Sequence, residues 1–89
     1  MNFKRALVTG GAGFIGSHIV DELMKHDVEV FVIDNYRKGR RSNIEHHFSN
    51  SKFLFDRRDI QSVGMYDVFR IFKPEVVFHL AAMPGVPYS

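Results

Sequence analysis

One glycine-rich stretch constrains the fold of this chain more than any other feature of the sequence. It reads Thr9-Gly10-Gly11-Ala12-Gly13-Phe14-Ile15-Gly16. The apolar run Ala6-Leu7-Val8 comes directly before it and is typical of a short strand buried on both faces, here Lys4 to Thr9. From Phe14 to Lys25 apolar residues recur at helical spacing: Ile15, Ile19, Val20, Leu23 and Met24. A buried strand, a glycine loop and an amphipathic helix in this order can hold a phosphate group.

Strands and helices continue to alternate along the chain. Apolar runs predict further strands at Val28 to Ile33, Phe53-Leu54-Phe55 and Val76 to Leu80. The spacing of Tyr66, Phe69 and Phe72 predicts a helix from Ser62 to Phe72, which Pro74 follows. This alternation is typical of parallel βαβ units with right-handed crossovers. The sequence therefore predicts an α/β fold: a partial Rossmann-type parallel sheet with helices, of about four strands in the order 3-2-1-4.

A shorter helix is predicted between the second and third strands. Ser42-Asn43-Ile44-Glu45 has the spacing of a capping box, in which the first and last side chains satisfy each other's backbone N–H groups. This pattern predicts a short helix that runs toward Phe48.

Each of three glycines has a separate task in a dinucleotide-binding loop. We expect Gly10 to permit the tight turn and Gly13 to let the backbone approach a pyrophosphate. Gly16 is expected to remove a side chain where the helix and the strand pack closest. The free N–H groups and the positive dipole end of the helix would then face the anion.

An acid at the end of the second strand completes this pattern. Asp34 lies about 20 residues after the loop, where its carboxylate can accept hydrogen bonds from the adenosine ribose hydroxyls. That position favours NAD over NADP. The nearby Arg37, Arg40 and Arg41 leave NADP open, because an arginine can pair with a 2′-phosphate. Asp34 also has a purely local interpretation, as a residue that ends a strand.

Composition excludes several classes of protein. The chain has no cysteine, so disulfides, thiolate metal sites and a cysteine nucleophile are absent. The apolar stretches are too short for a signal peptide or a membrane span, and we expect a cytoplasmic protein. The five histidines predict no metal site, because His46 and His47 should point apart on a helix. His79 is expected to be a hydrogen-bonded core histidine.

At this point the sequence resembles a known superfamily. The glycine stretch with Ser17-His18, then Asp34-Asn35, Asp59-Ile60 and His79-Leu80-Ala81-Ala82, are similar to the extended short-chain dehydrogenases/reductases, in particular their NAD-dependent sugar-nucleotide epimerases and dehydratases. The resemblance runs from Lys4 to Ser89. The end of the chain is most similar to the UDP-glucuronate 4-epimerase branch, although Met83 and Pro87 stand where that branch has Gln and Arg.

The resemblance implies roles for individual residues. Backbone N–H groups of Phe14 and Ile15 would bind the pyrophosphate. Asp34 and Asn35 would hold the adenosine end of the cofactor. Asp59 and Ile60 would contact the adenine. The nicotinamide side would be lined by Leu80, Ala81 and Ala82. For Asp59, capping of the following helix is the local alternative. The loop from Met83 onward would approach a UDP-sugar.

The catalytic residues of such enzymes are missing from these 89 residues. The family uses a Tyr-x-x-x-Lys pair, in which the lysine lowers the tyrosine pKa. Here Arg40 follows Tyr36 at that spacing and Arg70 follows Tyr66, while Tyr88 is one residue from the last. We therefore expect no catalytic residue and no turnover from residues 1–89 alone, which would form a truncated NAD-binding domain.

Two alternatives remain open at the level of sequence. The first is a non-enzymatic module that senses a nucleotide or binds an acidic partner through its arginine-rich loops. Binding to nucleic acid is less favoured, because the basic residues are not interleaved with stacking aromatics. The non-enzymatic module would be self-contained and would need no catalytic residues.

Self-association is expected from the position of the fourth strand. In the order 3-2-1-4 the strand Val76 to Leu80 lies at an edge, and it carries no charged residue and no proline to prevent pairing with another chain. We also expect one face of the sheet to lack its covering helices and to expose apolar area.

Overall fold

The computed structural model describes residues 2–36, 39–57 and 65–80, which form a parallel sheet with helices. In chain order the elements are β1 (Arg5–Thr9), α1 (Phe14–Lys25), β2 (Glu29–Ile33), β3 (Phe53–Asp56), α2 (Met65–Phe72) and β4 (Val76–His79). The four strands lie in the order β3-β2-β1-β4, and each neighbouring pair is parallel. The predicted fold class and strand order are confirmed.

The predicted bounds of the strands differ from the observed ones by a single residue. Lys4, Val28 and Leu80 lie just outside β1, β2 and β4, and β3 extends to Asp56. Helix α1 has the predicted bounds. The predicted start of the second helix at Ser62 lies outside the described residues.

Helix α1 covers one face of the sheet. Its buried apolar side chains Val20 and Leu23 pack on residues of β1 and β2 that alternate along each strand, among them Val8 and Val32. The connection between β2 and β3 adds Ile44, which is fully buried in the same cluster. This face holds the larger part of the core.

Helix α2 packs on the opposite face through two buried side chains. Val68 and Phe72 join Leu7 and Ile33 in a second cluster, and the Phe72 ring meets Phe31 edge-on at 5.3 Å. The predicted helix is present, but of the three residues whose spacing indicated it only Phe72 is buried, while Tyr66 and Phe69 are exposed. Val68 and Phe72 are four residues apart and share one helix face, whereas Tyr66 projects away from the sheet.

The face under α2 is therefore covered in part, and the expectation of a bare face was too simple. Residues of four strands align across it, with Leu54 opposite Phe31, Phe31 opposite Leu7 and Leu7 opposite Val77. The two inner residues are covered, while Leu54 and Val77 at the two edges are 44% and 43% exposed. Apolar area is exposed at both margins of this face.

The capping box was wrong. Two short 3-10 turns, Arg41–Asn43 and Glu45–His47, replace the predicted helix, and no side chain caps either of them. The Glu45 carboxylate lies 3.6 Å from the guanidinium of Arg41. Burial of Ile44 between the two turns separates them, because its side chain has to point into the core. Among the described residues, no helix is long and apolar enough to cross a membrane.

The packing of α2 on the sheet through Val68 and Phe72 can be tested with variants of two adjacent residues. We expect Phe72→Ala to lower the free energy of unfolding by about 3 kcal/mol, through lost burial and the cavity left beside Phe31. Ile71→Ala is the matched control, since Ile71 is 75% exposed and its loss should change stability by less than about 0.5 kcal/mol. Urea unfolding of both variants measures the difference, and equal losses would contradict this packing.

Candidate functional site

The glycine loop leaves the carboxyl end of β1 through a tight turn. Gly10 has a φ of 74°, in the left-handed region that favours glycine. Its N–H donates to the carbonyl oxygen of Ile33 at 2.8 Å, and its own carbonyl oxygen accepts from the N–H of Gly13 at 3.1 Å. The predicted role of Gly10 in the turn is confirmed.

Close packing at the loop involves two glycines. A Cβ on Gly16 would collide with the carbonyl oxygen of Gly10 and lie 2.9 Å from the Cα of Gly11. Gly16 therefore packs against the loop that follows β1. The prediction that Gly16 lies at a close contact was right, but the contact is with the loop and not with the strand. Gly11 makes the contact with the sheet, since a Cβ there would lie 2.7 Å from a methyl carbon of Val32 in β2.

The N-terminus of α1 is open at Gly13. This residue has an extended conformation, no side chain caps the helix, and its first turn carries no acidic residue. The N–H of Ser17 bonds to the carbonyl oxygen of Gly13, whereas first-turn N–H groups such as those of Phe14 and Ile15 have no acceptor within a helix. A Cβ on Gly13 would come no closer than 3.4 Å to the surrounding atoms. The end of the helix can therefore accept an anion.

Ile15 differs from its predicted place in the apolar face of α1. Its side chain and that of Phe14 are exposed, and the Phe14 ring packs edge-on against His18 at 4.8 Å. The apolar face of α1 that packs on the sheet therefore begins after Ile15.

Asp34 connects the end of β2 to the glycine loop. One carboxylate oxygen accepts from the N–H of Ala12 at 2.8 Å, and the other accepts from the N–H of Tyr36 at 2.7 Å. Asp34 is 7% exposed. The second of these bonds closes a turn on the residue's own chain, as the local interpretation of Asp34 predicted. The bond to Ala12 was not predicted, and it places the carboxylate beside the open end of α1.

The connection after β2 also holds the loop from outside. The backbone N–H of Arg40 and the side-chain amide of Asn43 both donate to the carbonyl oxygen of Ala12, at 3.0 and 2.7 Å. Gly39 lies against the same peptide, where a Cβ would be 2.5 Å from the Ala12 carbonyl carbon. The sequence did not predict these contacts of Gly39 and Asn43 with the loop, and Arg40 was expected to act through its charge rather than through its backbone N–H. A glycine and an asparagine in a polar loop gave no signal that distinguishes them from ordinary turn residues.

Aromatic and basic side chains lie next to Asp34. Tyr36 stacks on Phe55 at 5.3 Å, and the guanidinium of Arg57 lies 5.5 Å from the Tyr36 ring centroid. Burial raises the pKa of Tyr36, and the charge of Asp34 adds to this effect, although two nearby arginines oppose it. The phenol is therefore neutral near pH 7. Arg41 is held by Glu45 and by the Phe48 ring, at 5.3 Å from its centroid.

The carboxyl end of β4 lies beside that of β1. The hydroxyl of Thr9 and Nδ1 of His79 are 2.8 Å apart, and the N–H of Leu80 donates to the carbonyl oxygen of Thr9 at 2.9 Å. His79 is hydrogen-bonded as predicted, but it is exposed and is not a core residue. Asn35 is half-buried next to Asp34. The remaining predicted contacts, Asp59, Ile60, Ala81 and Ala82, lie outside the described residues.

A second cleft, of about 510 Å³, lies at the opposite end of the sheet. Charged side chains line it, and several are paired: Arg5 with Glu29 at 3.6 Å, and Lys52 with Asp27 at 2.8 Å. In parallel sheets ligands bind outside the carboxyl ends of the strands, which is the end that holds the glycine loop. The glycine loop is therefore the better candidate site.

Known proteins resemble this chain over most of its length. Residues 6–89 match the model of the NAD dependent epimerase/dehydratase family. UDP-glucuronic acid decarboxylase 2 of Arabidopsis thaliana is 47% identical over 93% of this chain, and UDP-glucose 4-epimerase of Mycolicibacterium smegmatis is 42% identical over 96% of it. The matches cover 17% and 27% of those two proteins. The chain thus spans about a quarter or less of the length of these relatives.

A solved structure gives the same result for the fold. The structure of UDP-glucose 4-epimerase from Thermus thermophilus in complex with NAD superposes with a TM-score of 0.73. It is 45% identical, and the match covers 89% of this chain and 24% of that one. The predicted resemblance to sugar-nucleotide epimerases and dehydratases is confirmed.

The two glycines at the start of α1 should differ in what they contribute to stability. We expect Gly16→Ala to lower the free energy of unfolding by about 2 kcal/mol or more, because the added methyl group meets backbone that cannot move aside. Gly13→Ala should change stability by less than about 1 kcal/mol, because its φ of −73° suits alanine and the site has room. Thermal or urea unfolding compares the two variants, and a larger loss in Gly13→Ala would refute the geometry of the loop.

Proposed function

The chain belongs to the NAD-dependent epimerase/dehydratase family, and we propose that residues 1–89 form the NAD-binding part of an enzyme that acts on a UDP-sugar. One observation carries the proposal: the uncapped N-terminus of α1 lies next to the buried carboxylate of Asp34. A dinucleotide needs both features next to each other, because its pyrophosphate is an anion and its adenosine ribose offers hydroxyl donors.

The pyrophosphate would bind at the glycine loop. Gly13 leaves room for its close approach, and the N–H groups of Phe14 and Ile15 are available as donors in the first turn of α1. The loop is already held in shape by Gly16 and by the three bonds to Ala12. A preformed loop lowers the entropy that cofactor binding has to overcome.

Asp34 would bind the adenosine ribose. Each of its oxygens accepts one hydrogen bond from the backbone, and a carboxylate oxygen can accept a second. The negative charge would repel a 2′-phosphate, which supports NAD over NADP. Arg41 is less available to bind a 2′-phosphate than its position in the sequence suggested. Its guanidinium already pairs with the Glu45 carboxylate and lies over the Phe48 ring.

The other predicted contacts extend the site along the same end of the sheet. Asn35 would assist Asp34, and Leu80 follows β4 beside the carboxyl end of β1. Asp59 and Ile60 are proposed for the adenine side, and Ala81 and Ala82 for the nicotinamide side.

A UDP-sugar substrate is supported by the names of the relatives, which act on UDP-glucuronic acid and UDP-glucose. The UDP-glucuronate 4-epimerase branch stays a proposal within this class. Bound NAD would supply the hydride acceptor, and the residues described above would bind and orient it. The sequence contains no Tyr-x-x-x-Lys pair, so proton transfer is not assigned to any residue of this chain.

Calorimetric titration of the purified chain with NAD and with NADP tests the cofactor. We expect NAD to bind at least tenfold more tightly, because Asp34 accepts ribose hydroxyls and repels a 2′-phosphate. Gly13→Val should weaken NAD binding at least tenfold, since its side chain would occupy the space of the pyrophosphate. Lys25→Ala, at the far end of α1, is the control and should bind as the unaltered chain does. Equal or tighter binding of NADP would overturn the role of Asp34.

We also propose that the chain self-associates along β4. No strand among the described residues pairs with the outer side of β4, and Val77 is exposed beside that edge. The strand has no charged residue, which leaves it open to pairing with a second copy.

Light scattering at micromolar concentration tests this association. We expect a dimer or larger species for the unaltered chain, and a shift toward monomer for Val77→Lys, because a charge on an edge strand opposes pairing with another sheet. Ile71→Lys is a control of equal charge on an exposed position of α2. A monomeric unaltered chain that unfolds cooperatively would refute the proposal, as would equal shifts in both variants.

A further inference from the structure

Two histidines and an aspartate meet on the outer side of α1, away from the glycine loop. One oxygen of Asp21, Oδ1, lies 2.9 Å from Nε2 of His46 and 2.6 Å from Nε2 of His47. One ligand atom from each residue lies within 4.8 Å of the other two. The expectation that His46 and His47 point apart was wrong, because a 3-10 turn places their ring centroids 4.1 Å apart with both Nε2 atoms next to one carboxylate oxygen.

These three side chains have the chemistry of a metal site. Two imidazole nitrogens and one carboxylate oxygen form a ligand set that suits zinc and its neighbours in the transition series, whereas magnesium and calcium prefer oxygen ligands alone. Around a tetrahedral zinc ion with bonds of about 2.1 Å, ligand atoms lie about 3.4 Å apart. The Asp21 oxygen is already within less than about 1 Å of that separation from both nitrogens.

We propose that Asp21, His46 and His47 bind a divalent transition metal ion of the zinc type, with water at the fourth position. Nothing in the proposed NAD site requires this ion. The site would join the middle of α1 to the turn that follows Asn43, and so would fasten the connection that holds the glycine loop.

The ligands are held in place before any ion binds. The His47 side chain is only 12% exposed and packs on the Phe53 ring at 5.5 Å. Ile44, buried in the core, fixes the start of the turn that carries both histidines. Asp21 lies in α1 directly after the buried Val20. Metal binding would therefore need small side-chain movements and little ordering of the backbone.

The charge state of Asp21 suits a ligand. Partial burial acts to raise the pKa of its carboxyl, but hydrogen bonds from His47 and His46 and their charges outweigh it, and the net pKa is lowered. The carboxylate is therefore ionised near neutral pH, which is the form that binds a metal. The proposal rests on the geometry of the three side chains.

Titration of the untagged chain with zinc ions, followed by calorimetry, tests the proposal. We expect one zinc ion per chain with a dissociation constant of about 10 µM or tighter, which is about −7 kcal/mol. Cobalt(II) should give the visible absorption of a four-coordinate site. His46→Ala and Asp21→Asn should each weaken zinc binding at least tenfold, since each leaves only two of the three ligands.

His26→Ala is the matched control. His26 also pairs with a carboxylate of α1, with Nε2 3.1 Å from Oε2 of Glu22, but no third ligand completes this pair within residues 2–36, 39–57 and 65–80. Its loss should change zinc affinity less than twofold. Circular dichroism establishes that each variant is folded, and Asp21→Asn retains the size of the side chain should His46→Ala be unstable.

Three results would overturn the proposal. They are an unaltered chain that binds zinc no more tightly than about 1 mM, variants at Asp21 and His46 that bind as the unaltered chain does, and a loss in His26→Ala as large as the loss in His46→Ala. A rise in the unfolding temperature with zinc, absent in His46→Ala, would support it independently, since a ligand of the folded state stabilises that state. None of these measurements involves NAD, so the outcome is separate from the test of the cofactor site.

Discussion

The hydrogen bond from the Ala12 N–H to the Asp34 carboxylate is the interaction on which the candidate site depends. It joins a loop at the end of β1 to the end of β2, across 22 positions of sequence. A buried bond to a charged group contributes about 1.5–3 kcal/mol. Without it, the Ala12 carbonyl oxygen would still accept its two hydrogen bonds, but the Ala12 N–H would be buried without this acceptor. The carboxylate thus fixes the loop whose helix N-terminus would receive the pyrophosphate.

The fold was predictable because the signals that specify it are local. Strands β1 and β2 are short apolar runs bounded by turn residues, and α1 repeats its apolar positions at 3.6-residue spacing. Parallel connections then restrict the order of strands to a few possibilities. The predictions failed where a local pattern competed with a more distant contact. At Ser42 the burial of Ile44 in the core displaced the predicted capping box.

The site was predictable only in part, for the same reason. Gly10 and Asp34 belong to a pattern of fixed spacing, so their positions followed from the sequence. Gly39 and Asn43 act on Ala12 from a connection with no regular structure, and nothing in that connection fixes its path except the contacts that it makes. Asp21 lies 25 positions before His46 in the sequence. The two histidines reach its carboxylate from a 3-10 turn, which stands in place of the predicted helix.

Asp34 holds the glycine loop through Ala12 and, in the proposed function, would also bind the ribose of the cofactor. Removing Asp34 would unsettle Ala12 and remove a ribose acceptor together, so a loss of cofactor binding would not separate the two roles. Asn43 offers the separation, because its amide donates to the Ala12 carbonyl oxygen and the proposed function assigns it no contact with the cofactor. An effect of Asn43 on affinity would therefore act through the shape of the loop. Its neighbour Ile44 leads directly into the turn that carries His46 and His47, so one short segment contacts the glycine loop and also carries two of the three proposed metal ligands.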